Sequence, residues 1–70
     1  MGLQISMAAA RVNAKMTQEE IAEKMDMART TIISWETGKT IPKPSQFEMY
    51  CNLCNIPKDC VFLPSNPTKS

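Results

Sequence analysis

Three basic side chains, Arg29, Lys39 and Lys43, fall between residues 27 and 43, where the single acid is Glu36. Guanidinium and ammonium groups on one surface suit phosphate oxygens, and a guanidinium also suits the edge of guanine. The preceding stretch, residues 17–26, is acidic: Glu19, Glu20, Glu23 and Asp26 stand against Lys24. The whole chain carries eight basic and seven acidic side chains, for a net charge of +1. Total charge therefore does not announce a nucleic-acid partner, whereas the segregation of charge into an acidic and a basic section does point to one.

Other chemistry is sparse. The three cysteines form Cys51-x-x-Cys54 with Cys60 further on. Structural zinc usually takes four ligands. Three thiols and no histidine fall short of that, so no metal and no cofactor are expected. Cys51 and Cys54 share a helical face, where core packing accounts for them. Their odd number and spacing suit free thiols in a reducing cytoplasm. Without histidine, an activated nucleophile or a phosphate-cradling loop, the chain is not expected to be an enzyme.

Seventy residues limit the chain to one domain with a modest core. An apolar fraction of 43% is too high for disorder. No apolar run is long enough for a bilayer, and residues 1–10 lack the basic start of a signal peptide. A cytoplasmic location without a membrane partner is the expectation.

The elements that must position the basic residues read as helices. Glycine is scarce and alternating β-branched runs are missing, so an all-α fold is expected. The first helix is placed from about Ser6 to Lys15, with Ile5, Ala8, Ala9 and Val12 as its apolar stripe. Thr17-Gln18-Glu19-Glu20 is a capping box that opens a second helix near Gln18, with Ile21, Ala22 and Met25 inward. Met25-Asp26-Met27 ends it. A third helix spans about Ala28 to Thr37, with Ala28, Ile32 and Trp35 on one face and Gly38 as its left-handed cap. Lys39 to Pro44 reads as a loop because of Pro42 and Pro44. Ser45-Gln46-Phe47-Glu48 is a second capping box, opening a fourth helix to about Asn55 with Phe47, Tyr50, Cys51 and Cys54 inward. Pro57 suits the start of a short fifth helix ending near Leu63. Met16, Met25, Met27 and Met49 are expected as core filler. The domain is drawn over 1–64, with 65–70 as a flexible tail.

The second and third helices are joined by a turn of three or four residues. This is the spacing of a helix-turn-helix, whose second helix can enter the major groove. The run T-Q-E-E-I-A-E-K-M from Thr17, then R-T-T-I-I-S-W-E-T-G-K-T from Arg29, Pro42 beyond them and Arg11 ahead of them resemble the phage-repressor and Cro-type helix-turn-helix family. The resemblance covers about residues 6–63. It implies a compact five-helix bundle that binds a near-palindromic double-stranded DNA operator as a homodimer. It implies base reading by Arg29, Thr30, Ile33 and Ser34. It also implies DNA-backbone contacts from Thr17, Gln18, Lys39, Thr40 and Lys43, and a structural ion pair between Arg11 and Glu36.

Four positions depart from the family pattern. Asp26 and Lys15 stand where glycine is usual, Ala28 where a serine or threonine often caps, and Ile33 puts a large apolar side chain on a DNA-facing surface. Ile33, Ala28 and the low net charge leave a second reading open, a module that binds and modulates another repressor protein. Ile56, Val61, Phe62 and Leu63 exceed what a short terminal helix needs internally. A dimer contact and the chain's own core compete for them.

Overall fold

The structure, a computed structural model, describes residues 4–63. Four α-helices carry it: α1 (Met7–Asn13), α2 (Gln18–Lys24), α3 (Arg29–Thr37) and α4 (Pro44–Leu53). The expected fifth helix is replaced by a single 3-10 turn, Lys58–Cys60, followed by a strand, β2 (Val61–Phe62). That strand pairs in parallel with β1 (Ile5–Ser6), Ile5 opposite Val61. The all-α expectation therefore holds for the bulk of the fold, while the count of five helices does not. Pro57 caps the turn, but after Cys60 the β-branched Val61 takes extended backbone (φ −125°, ψ 129°) and bonds across to the start of the chain. The tail expected over 65–70 lies outside the described residues, as does residue 64.

Each helix starts and stops for local reasons. Ser6 caps α1 by accepting from the Ala9 amide at 3.0 Å. The Thr17 box is complete: Thr17 Oγ1 accepts from Glu20 N at 3.0 Å, and Glu20 Oε1 accepts from Thr17 N at 2.8 Å. The second expected box is displaced. Pro44 has no N–H to lose and takes the first helical position, so α4 begins one residue before Ser45. Gln46 Oε1 then accepts from Lys43 N at 2.9 Å.

All four helices close with the same pair of reversed backbone bonds. Met16 N reaches Arg11 O, Met27 N reaches Ala22 O, Lys39 N reaches Ser34 O and Ile56 N reaches Cys51 O, at 2.9 to 3.2 Å. Each closure needs a residue at positive φ. These are Lys15 (61°), Asp26 (58°), Gly38 (85°) and Asn55 (61°). Met16, Met27 and Ile56, the residues just beyond three of these turns, pack against the core. A hydrophobic residue at that position commonly accompanies this motif.

The core is Met7, Ala10, Ile21, Ala22, Met25, Ile32, Trp35, Tyr50, Cys51, Cys54 and Val61. Two sequence expectations are corrected here. Val12 is 60% exposed; α1 instead turns Met7 and Ala10 inward, because Arg11 must face α3. Met49 is 44% exposed, leaving Tyr50 and Cys51 as the inward residues of its turn. Trp35 and Tyr50 meet edge to face with ring centroids 6.5 Å apart, a favourable aromatic geometry.

Candidate nucleic-acid interface

The second and third helices are joined across Met25 to Ala28, with Asp26 taking the left-handed conformation in the turn. Ile21, Ala22 and Met25 of the first partner and Ile32 and Trp35 of the second are buried in one core. This burial fixes which side of α3 faces out. Arg29 and Thr30 are exposed, and Ile33 and Ser34 are half-buried. Thr30, Ile33, Ser34, Thr37 and Lys39 line an open hollow of about 440 Å³. The four residues expected to read bases thus lie along the first six residues of α3, with three of them in that hollow.

Most of the side chains expected at the DNA backbone lie on the surface. Thr17, Lys39, Thr40 and Lys43 are exposed. Lys39 and Thr40 are held by their amides, which both donate to Ser34 O, at 2.9 and 3.3 Å. Lys43 is the N-cap of α4. Ala28 caps α3 without a side-chain hydrogen bond. Arg29 also borders a second hollow, of about 470 Å³, lined by Thr17, Glu19, Glu20, Ala22, Glu23 and Met27. The acidic flank of α2 therefore runs up to Arg29, the first of the residues expected to read bases.

Behind α3 lies the charged centre of the domain. Arg11 Nε donates to Glu36 Oε2 at 2.8 Å, and Arg11 Nη2 donates to Oε1 at 3.1 Å. Gln18 Nε2 donates to Oε1 at 3.1 Å, and the Tyr50 hydroxyl donates to Oε2. Each carboxylate oxygen thus accepts two hydrogen bonds, which fills the acceptor capacity of the group. The donors come from α1, α2 and α4, one from each of the other helices. Arg11 Nη1 also donates to Met16 O at 2.9 Å, fastening the turn after α1.

Burial pushes the Glu36 pKa up, but the hydrogen bonds from Arg11, Tyr50 and Gln18 outweigh it and hold the carboxyl below its ordinary range. Donors that favour the ionised form act in this direction. For Tyr50 both causes agree: burial first, then the bond to the Glu36 carboxylate, raise its pKa far above the usual value.

Sequence reasoning paired Arg11 with Glu36 but missed Tyr50 and the inward turn of the Gln18 amide. A signal for Tyr50 was available. A tyrosine at an inward helical position must place its hydroxyl against some polar partner. Of the four C-terminal apolar residues, Val61 is 3% exposed and lies in the core, Ile56 and Leu63 pack against that core, and Phe62 stands 42% exposed. Cys51 and Cys54 are buried and free. Among the described residues no cluster of three metal-ligating side chains occurs, and no helix is long and apolar enough to cross a membrane.

Two short helices packed on each other across a tight turn, with the outer side of the second open to solvent, define a helix-turn-helix domain. A family profile described as helix-turn-helix matches residues 7–59. The chain belongs to that family, of the lambda-repressor-like type, and so to a class of DNA-binding domains of transcription regulators. No curated protein and no solved structure matches it.

Proposed function

We propose that this protein binds a specific double-stranded DNA operator and regulates transcription in the manner of phage and prophage repressors, by covering the operator against polymerase. The observation that carries this reading is the open outer side of α3, where Thr30, Ile33 and Ser34 line one hollow beside exposed Arg29. In the major groove, Arg29 pairs with guanine, and Thr30 and Ile33 pack on thymine methyls, with Ser34 a turn along. Lys39, Thr40, Lys43 and Thr17 follow the phosphates and set register without reading sequence. Gln18 keeps a second amide N–H for a phosphate oxygen, since its bond to Glu36 uses one. Two copies on a near-palindromic site place their reading helices about one DNA turn apart. Exposed Phe62 is the residue available for that dimer contact, with Leu63 next to it in sequence and Ile56 six residues earlier.

The test is selection from random duplex DNA. Enrichment of a near-palindromic motif, with affinity falling steeply as salt rises, supports the reading. Failure to enrich any motif overturns it. The acidic residues beside Arg29 and the missing side-chain cap at Ala28 favour a second reading, modulation of another repressor protein. Tight binding to such a partner without DNA enrichment would establish that one.

A further inference from the structure

We infer that Tyr50 is a positioning residue for the nucleic-acid face. Its hydroxyl, which donates from α4, fixes the Glu36 carboxylate, which in turn holds Gln18 where it borders the DNA and keeps it in register with Arg11. This inference rests on the DNA-binding reading above.

The geometry is specific. Tyr50 is fully buried, and its oxygen lies 2.9 Å from Met7 O as well as beside Glu36 Oε2. A phenol has one proton to donate, and the ionised carboxylate is the stronger acceptor. Glu36 sits in the last turn of α3, so whatever fixes its carboxylate fixes the end of the reading helix. The oxygen that Tyr50 contacts also takes Arg11 Nε, and the other oxygen takes Gln18 Nε2 and Arg11 Nη2. Removing the phenol donor leaves Oε2 with an unfilled acceptor site in a side chain only 4% exposed. The carboxylate then rotates to recover a partner, and the Gln18 amide and Arg11 guanidinium move with it. A phenylalanine would fill nearly the same core volume without this constraint, so the hydroxyl is the informative atom.

The variant is Tyr50→Phe, which keeps the ring against Trp35. It is made in the native chain and in a Lys15→Gly background, whose more favourable turn keeps the variant folded. Two measurements are read well below the unfolding temperature. In the free protein, Tyr50→Phe is expected to shift the Gln18 side-chain amide resonances and to raise the titration midpoint of the Glu36 carboxyl carbon. On the selected duplex, Tyr50→Phe and Gln18→Ala are each expected to weaken binding roughly three- to tenfold. The double variant is expected to lose no more than the worse single one, the signature of two residues acting in series. Additive losses, or unchanged Gln18 and Glu36 signals in Tyr50→Phe, overturn the inference. So does operator affinity in Tyr50→Phe within twofold of native. Absence of duplex binding by the native chain refutes the DNA reading instead, a distinct outcome.

Discussion

Arg11 grips Glu36 side-on, two parallel N–H bonds to two oxygens at 2.8 and 3.1 Å, and so ties α1 to the last turn of α3. The side chains are 13% and 4% exposed. Breaking such a pair from one side strands a charge, which costs more than the pair contributes when intact. Arg11→Ala is expected to destabilise the domain by about 3 kcal/mol, read as a lower denaturant midpoint. Arg11→Lys retains the charge but not the fork, and should recover less than half of the loss. Full recovery by lysine would show that charge alone matters.

The same carboxylate gives stability a defined acid limb. The Glu36 pKa is lowered on folding, so the folded state binds fewer protons than the unfolded chain around pH 4. The contribution is fully present above the unfolded carboxyl pKa. It is lost as pH falls through the folded value. Urea midpoints measured from pH 7 downward should stay level and then drop below about pH 4.3, and the Glu36 share of that drop should vanish in Glu36→Gln. An unchanged acid limb in that variant would contradict the assignment.

Two backbone positions carry a removable cost. Lys15 adopts φ 61°, where a side chain with a Cβ costs about 1 kcal/mol relative to glycine. Lys15→Gly should raise stability by that amount, and Asp26→Gly by less, because aspartate tolerates this region better. Ala28 offers α3 no side-chain cap, and Ala28→Ser should add about 1 kcal/mol. Thermal unfolding of the three variants checks all three statements.

On DNA, the residues of α3 and those of the following loop should separate by kind of effect. Arg29→Ala should cost about 1–3 kcal/mol on the preferred operator and relax preference at one base pair. Lys43→Ala should weaken all sequences alike and reduce the salt slope by about 1. Competition binding at several salt concentrations distinguishes these outcomes.

The two buried thiols, Cys51 and Cys54, should be inert while the domain is folded. Burial, with Cys51 nearby, pushes Cys54 up to about 11, and burial raises Cys51 as well. Since the thiolate is the reactive form, alkylation of both at neutral pH should proceed only as fast as the domain opens. Mass mapping of iodoacetamide adducts against urea gives that rate.

Much of this architecture was legible because local signals agreed with tertiary packing. The Thr17 box, Gly38 and the inward spacing of Ile21, Ala22, Ile32 and Trp35 placed α2 and α3 closely. The positive φ at Lys15 and Asp26 was foreseeable from glycine at the matching family positions. The register of α1 was not. Counting apolar residues favoured Val12, whereas the need of Glu36 for a cation turned Arg11 toward α3 and Val12 out to water. The end of the chain failed for a different reason. Residues 57–63 look helical in isolation, and only pairing with Ile5, far away in sequence, makes strand the better state for Val61. The outward side of α3 follows from which side is buried, but the contact of Tyr50 with Glu36 needed coordinates, since sequence does not show which carboxylate a phenol will meet.

The little parallel ladder between β1 and β2 has a kinetic consequence. Its supporting bond, from the Gln4 side-chain amide to Asp59 O, joins residues 55 apart. The next longest contacts, the Tyr50 hydroxyl against Met7 O and the Arg11–Glu36 pair, span 43 and 25 residues. A link between the first and last segments is entropically the dearest to form from an open chain and gains least until the helices have assembled. The ladder is therefore expected to form late and to open early, and its opening would uncover Val61 while leaving the α2–α3 pair intact.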